Sequence, residues 1–280
     1  MLDIAFVRAQ FPAFSEPSLA GTAFFENAGG SYPCRFVIDR LTRFYRERKV
    51  QPFGPYLASR LAGEEMDEAR DRMAALLNVA PDELLFGPST SQNVYVLARA
   101  FAGILKAGDA IVVTDQDHEA NSGAWRRLAD QGIEVREWRV DPDTGHLDPA
   151  ALARLLDGRV RLVAFPHCSN IVAEINPVAE ICALVHQAGA VACVDGVSYA
   201  PPRLSGHRRA GGRHLSLLGL QDLWPPSGAD GGAKAAARGV AQSGPFLQRR
   251  RSRQAADPGG SGPCPDRRLR RDGRLCRRAA

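Results

Sequence analysis

The stretch 160–195, VRLVAFPHCSNIVAEINPVAEICALVHQAGAVACVD, reads as strand, loop, helix and strand in succession. VRLVAF is a short apolar run of strand type, PVAEICALVHQAG follows the helical pattern, and AVACVD is a second strand that reads as buried on both faces. Two strands joined through a helix run parallel in one sheet. Upstream the same alternation continues. A helix is expected from about Pro149, a strand over IEVREWRV, a helix from about Glu119 to Asp130, a strand over AIVVT, a helix over SQNVYVLARAFAGIL and a strand over ELLF. Two amphipathic helices precede them. CRFVIDRLTRFYRER places Phe36, Val37, Leu41, Phe44 and Tyr45 at helical spacing, and GEEMDEARDRMAALLN has acidic residues in its first turn. The fold class is therefore α/β, a mostly parallel sheet sandwiched by helices, with no internal repeat.

Composition divides the chain near Pro202. Through Pro202 there are 19 basic and 26 acidic side chains, and beyond it 17 and 5. Residues 203–280 contain no Glu, Asn, Ile, Met, Thr or Tyr and are rich in Arg, Gly, Ala and Pro. Such a segment cannot bury enough apolar surface to offset the entropy of ordering it, so 202–280 is expected to be a disordered tail. The N-terminus lacks a basic, then apolar, leader pattern, and no apolar run approaches about 18 residues. The expectation is a soluble cytoplasmic protein without membrane contact. The six cysteines, Cys34, Cys168, Cys182, Cys193, Cys264 and Cys276, show no CxxC spacing. They read as inert thiols of a reducing compartment, and no metal site is expected.

In parallel α/β sheets, ligands bind beyond the carboxyl ends of the strands. After ELLF comes Gly87-Pro88-Ser89-Thr90-Ser91-Gln92, where a helix start and hydroxyls suit a phosphate or simply cap the helix. After AIVVT comes Asp115-Gln116-Asp117-His118-Glu119-Ala120-Asn121. His118 there can stack on a planar cofactor or exchange protons near neutral pH, or it is a surface loop residue. After VRLVAF, the Asn170 amide can bond a ligand oxygen or its own loop. AVACVD ends on Asp195, whose buried carboxylate requires a cationic partner from protein or ligand.

Taken in order, FFENAGGSYP, GPSTSQN, DHEAN, SNIVAEINPV and HQAGAVACVDGVSYAP resemble the class V aminotransferases, pyridoxal-phosphate enzymes of fold type I, and especially their cysteine desulfurase-like branch. The resemblance covers nearly all of residues 20–201. It implies a pyridoxal 5'-phosphate cofactor, an amino-acid substrate attached through a Schiff base, and a homodimer in intact relatives. It divides the chain into an N-terminal segment, 1–25, a partial cofactor-binding large domain, 26–201, and the tail. Thr90 and Ser91 correspond to phosphate-loop residues, His118 to the imidazole stacked on the pyridine ring, and Asn170 to the amide on the ring hydroxyl. Asp195 corresponds to the carboxylate paired with the protonated pyridine nitrogen. Ser198 falls where relatives carry Gln or His, a departure. Asn27, Ala28, Gly29 and Gly30 resemble the segment lining the substrate side.

The resemblance also implies a lysine that holds the cofactor, in text like GADIYxxSxYKxxGP. The chain has only Lys49, Lys106 and Lys234, none in that context. Back-translation offers an explanation. Codons for Pro202 to Gln221, read one nucleotide later, can encode HGFPDIGALGADIYLSSAYK, and those from Gln221 onward continue as KTYGPHQGLM. The lysine codon then overlaps Gln221 and Asp222. The first and third bases of each shifted codon are nearly fixed by the written sequence, yet every position from Pro202 to Asp230 fits. The tail therefore reads as family sequence in the wrong frame, and the chain as written is expected to be inactive, with no catalytic residue nominated. Cys264 and Cys276 lie in this text and are not candidates for a desulfurase nucleophile. The alternative reading is a non-catalytic binding protein whose Arg-rich tail contacts nucleic-acid phosphates, but that tail has no interleaved aromatics, and nucleic acid is not the expected partner.

Overall fold

The computed structural model describes residues 2–26 and 29–200, and beyond them the backbone of 214–219 and 228–231. In chain order the helices are α1 (Ile4–Ala9), α2 (Arg35–Arg43), α3 (Leu57–Leu77), α4 (Thr90–Ala102), α5 (Glu119–Arg126), α6 (Pro149–Leu155) and α7 (Val178–Gln187). The strands are β1 (Leu84–Phe86), β2 (Ala110–Thr114), β3 (Glu134–Trp138), β4 (Val160–Pro166), β5 (Val191–Asp195), β6 (His214–Gly219) and β7 (Gly228–Gly231). They form one sheet in the order β1-β7-β6-β5-β4-β2-β3. The pairs β2–β3, β2–β4, β4–β5 and β5–β6 are parallel, and β7 runs antiparallel to both β6 and β1.

The expected strands and crossover helices are therefore present between Leu84 and Asp195, each within a few residues of its expected limits. The boundary at 201/202 and most of the tail lie outside the described residues. Two stretches of that segment are strands: β6 continues the parallel set beside β5, and β7 links it to β1.

Local chemistry sets the element ends. Asp148 caps α6, its carboxylate accepting the N–H groups of Ala150 and Ala151 at 2.9 and 3.0 Å. Asn78 ends α3 in the left-handed conformation, φ 55° and ψ 45°, which asparagine tolerates. Arg126 holds α5 to β3 through a forked pair with Glu137, at 3.0 and 3.1 Å.

All five residues of β2 are buried, as a strand covered on both faces requires. On one face Val112, Val163, Phe165 and Val194 pack with Leu152 of α6 and with Ile181, Cys182 and Val185 of α7. Trp138 meets Phe165 edge-on at 6.2 Å between centroids. The other face is covered by α5, which contacts β2 and β4, and α5 packs on α4 through the Phe101–Trp125 edge contact at 5.5 Å. Because side chains alternate along a strand, Val194 points to the α6–α7 face, while Cys193 and Asp195 point to the α5 face. The Cys193 thiol donates to Asn121 Oδ1 of α5 at 3.7 Å, which places α5 directly over that part of β5.

α2 forms where the spacing predicts it, but none of its residues is buried. Phe36 is 68% exposed, and Tyr45 is 63% exposed in the π-helical turn Phe44–Arg48 that follows. Of the four described cysteines, Cys182 and Cys193 are buried, whereas Cys34 and Cys168 are half-buried. Burial pushes the Cys182 thiol up to about 12, so it is inert at neutral pH. Among the described residues no helix is long and apolar enough to cross a membrane.

Candidate functional site

Strands β2, β4, β5 and β6 run in the same direction, so their carboxyl ends share one edge of the sheet. β1 shares that direction, because β7 is antiparallel to both β1 and β6. The carboxyl ends of β1, β2, β4 and β5 therefore share one edge, with Thr90 and Ser91 opening α4 after β1, His118 after β2, Asn170 after β4, Asp195 ending β5 and Ser198 in the turn beyond it.

Asp195 is 7% exposed. Its Oδ1 accepts the N–H of Val197 at 2.8 Å. Burial raises its pKa to about 6, opposed by the Val197 hydrogen bond and by the charge of His118. Among the described residues His118 is the basic group whose charge acts on it, and no Lys or Arg stands in an ion pair with it. The carboxylate expected to need a cation thus lacks a full one.

A second carboxyl group lies nearby, one that sequence reasoning had not singled out. Asp117 accepts the His118 N–H on Oδ1 at 2.9 Å and the Asn121 amide on Oδ2 at 2.5 Å. Burial and the charge of Asp195 push its pKa well above the usual carboxylate range. Two carboxyls in one desolvated place cannot both ionise cheaply, so the site favours an added positive charge.

His118 is exposed and precedes α5. Its Nδ1 accepts the Ala120 N–H at 3.0 Å, so in the neutral ring the proton sits on Nε2. The structure therefore gives His118 a helix-capping duty, with the Nε2 edge left for other partners.

At the start of α4, Ser89 is the cap, its hydroxyl accepting the Gln92 N–H at 3.1 Å. Thr90 is half-buried and Ser91 exposed, and neither hydroxyl has a hydrogen bond among the described residues. Gly87 lies against Asn93 so closely that a Cβ would stand 1.6 Å from Asn93 Oδ1. Asn93 is itself buried, and its Nδ2 has no partner among the described residues. An unpaired buried donor in the first turn of a helix with free hydroxyls is a cradle for an anion. Thr90 and Ser91 share the edge with Asp195 but stand across β6 and β7 from it in the sheet order.

Asn170 is half-buried in the loop after β4, and that loop is tied to β5 by the His167 N–H donating to the Asp195 carbonyl at 2.7 Å. The His167 ring stacks on Tyr199 at 3.5 Å and 17°, which joins the loops after β4 and β5. Ser198 is half-buried in the turn closed by the Tyr199 and Ala200 N–H groups donating to the Gly196 carbonyl. Gly29 and Gly30 are described, and Asn27 and Ala28 lie outside the described residues. The edge thus brings together Asp117, His118 and Asp195, with Asn170 following β4, the strand between β2 and β5. The doublet DQDH was the available signal for Asp117.

The model of the family described as aminotransferase class-V matches residues 23–204. The chain belongs to the class V aminotransferase family. An aminotransferase-like protein, FGM3, of Gibberella zeae is 35% identical over 231 residues, 76% of this chain and 56% of the relative. A cysteine desulfurase of Serratia proteamaculans is 33% identical over 195 residues, 68% of this chain and 48% of the relative. The chain therefore spans about half the length of these curated relatives. The fold matches the cysteine desulfurase CsdA of Escherichia coli with a TM-score of 0.73 at 21% identity, covering 85% of this chain and 60% of that one. It also matches a cysteine desulfurase of Thermococcus onnurineus with a TM-score of 0.75 at 21% identity, covering 84% and 58%. The two solved cysteine desulfurases thus share the fold of this chain.

Proposed function

We propose that the chain is the cofactor-binding part of a pyridoxal 5'-phosphate enzyme acting on an amino acid, and that as written it is inactive. The observation that carries the reading is Asp195, a buried carboxylate at a strand end with no Lys or Arg paired to it among the described residues. The residues fit the group: a protonated pyridine nitrogen supplies the missing charge, and the unpaired Asn93 donor and Gly87 cradle suit the phosphate end. When bound, this cofactor supplies an electron sink for the bonding pair released at the amino acid's α-carbon.

The chain's own residues divide the work. Asp195 keeps the proton on the pyridine nitrogen. Thr90 and Ser91, with the first N–H groups of α4, hold the phosphate. His118 would offer its ring for stacking and its Nε2 proton to donate, while Asn170, and Ser198 more weakly, would hold the ring hydroxyl. The homodimer implied by the resemblance belongs to the same proposal, and exposed Phe36, Tyr45, Phe53 and Tyr56 offer apolar surface for it.

Inactivity follows from the lysines. Lys106 lies just before β2, its N–H donating to Asp109, at the amino edge of the sheet and opposite the site. Lys49 stands over the Tyr45 ring at 5.3 Å, beyond the π-helical turn. Lys234 lies outside the described residues. Two observations support the frame-shift reading. The family match ends at residue 204, beside the break. The shifted lysine codon overlaps Gln221, two positions past the carboxyl end of β6, and β6 runs parallel to β5. The carboxyl end of β6 shares its sheet edge with the carboxyl end of β5, which is Asp195.

The test is reduction with borohydride of the full chain mixed with pyridoxal phosphate, followed by peptide mass analysis. No specific lysine adduct is expected, and restoring the shifted frame is expected to create one at the lysine overlapping Gln221 and Asp222. A specific adduct on Lys234 of the chain as written overturns the inactive reading.

A further inference from the structure

Three loops at the carboxyl edge are joined by a buried amide clasp that the cofactor contacts do not account for. Gln116, Ser169 and Asn176 are 6%, 3% and 3% exposed. Gln116 follows β2 and stands two residues before His118. Its Nε2 donates to the Gly145 carbonyl at 2.8 Å, and its Oε1 accepts from Asn176 Nδ2 at 2.7 Å. Asn176 Nδ2 also donates to the Pro166 carbonyl at 2.8 Å, at the end of β4. The Gln116 backbone joins in as well: its N–H donates to Thr114 Oγ1 at 3.1 Å, and its carbonyl accepts from Ser169 Oγ at 3.4 Å. Ser169 Oγ accepts the N–H groups of Ile171 and Val172 at 3.3 Å each. Ser169 and Asn176 bracket Asn170 in a hairpin closed by the Cys168–Ile175 bridge and the Asn176 N–H bond to the His167 carbonyl at 2.9 Å.

Both donors of the Asn176 amide and both ends of the Gln116 amide are thus used, and no other pair of side chains ties the His118 loop to the Asn170 hairpin among the described residues. A buried polar network with every member satisfied fixes one arrangement, because any slip leaves a donor or acceptor unpaired. We propose that Gln116 and Asn176 are positioning residues that set the separation between the His118 ring and the Asn170 amide, and so the fit of a flat aromatic ring carrying a hydroxyl between them. The inference rests on the cofactor reading above for the identity of that ring, but the clasp itself is made entirely by the chain's own groups.

Pyridoxamine 5'-phosphate is a suitable probe because it binds without a lysine. Titration calorimetry of the full chain, of Gln116→Met, of Asn176→Ala and of the double variant is compared with titration by inorganic phosphate. Each single variant is expected to weaken pyridoxamine phosphate binding about tenfold, and the double variant no more than either single. Phosphate binding is expected to stay within about twofold, since the cradle at α4 lies outside the clasp. In parallel, the His118 ring signal is followed by NMR in the ligand-free proteins. It is expected to shift in both single variants while the His186 signal on α7 stays in place. Gln116→Met preserves volume and carries the test if Asn176→Ala fails to fold. Unchanged pyridoxamine phosphate binding in folded variants, additive losses in the double variant, a parallel loss of phosphate binding, or an unmoved His118 signal overturns the proposal. If the unaltered chain binds no pyridoxamine phosphate, the cofactor reading falls, and the clasp is then decided by the His118 signal alone.

Discussion

Replacing Asp195 with asparagine should make the ligand-free protein more stable at neutral pH while removing the charge that suits it to a cationic ring. The carboxyl's pKa is raised from 3.8 to about 6 in the folded chain. A carboxyl that holds its proton more tightly when folded makes stability highest below the unfolded value. Stability then falls as pH rises from about 4 to about 6, and the full penalty persists above that. A shift of about two units corresponds to a penalty of about 3 kcal/mol. The asparagine side chain cannot ionise, and its carbonyl oxygen can keep the Val197 N–H bond that Asp195 Oδ1 makes. Asp195→Asn is therefore expected to gain about 3 kcal/mol over the parent at pH 8, about half of that at pH 5, and almost nothing near pH 3.5. For a domain of this size the gain at pH 8 corresponds to a rise in Tm of about 6–12 °C. Urea unfolding across that pH range, followed by circular dichroism, measures it. A variant less stable than the parent at pH 8, or a gain that does not shrink on acidification, refutes the reasoning about the buried charge.

Other consequences follow from single positions. Gly87→Ala forces its Cβ onto Asn93 Oδ1, so it should cost about 1–3 kcal/mol in urea unfolding and weaken inorganic phosphate binding. Phe165→Ala opens the contact with Trp138 at the centre of the α6–α7 face and should cost about 3–5 kcal/mol, read from the unfolding midpoint. Ala173 holds φ at 56° in the hairpin beyond Asn170, so Ala173→Gly should stabilise by about 0.5–1 kcal/mol, the relief of the left-handed conformation exceeding the entropy of the added glycine. Thiol titration of the native chain should leave Cys182 unreacted while Cys168, half-buried, reacts slowly.

The sheet was legible wherever burial and periodicity coincide. AIVVT, VRLVAF and AVACVD are buried almost throughout, and hydrophobic runs of that length between helical patterns have few other solutions. The strand-end rule then located His118, Asn170 and Asp195 without any side-chain geometry. α2 shows the limit of periodicity: its spacing announced a helix, but not that Phe36 would remain exposed, because amphipathicity is silent about what covers the apolar face. The clasp was illegible for a different reason. Gln116 and Asn176 are sixty positions apart, and nothing in an isolated Gln or Asn tells a loop amide from a buried one until two loops meet. Asp117 was half visible in DQDH, but the effect of Asp195 on it depends on β5 presenting Cys193 and Asp195 to α5. β6 and β7 were hidden by composition, since the segment holding them was read for its charge and glycine content, not for the short run HLSLLG.

Binding of pyridoxamine 5'-phosphate to the full chain and to Asp195→Asn, measured by calorimetry at pH 7.5, tests the cofactor site most directly. Saturable binding at one site per chain is expected for the unaltered protein. A loss of about two to three orders of magnitude is expected for Asp195→Asn, because the pyridinium would be left buried without its carboxylate. Absence of binding by the unaltered chain, or equal binding by both proteins, contradicts the assignment of this edge as a pyridoxal phosphate site.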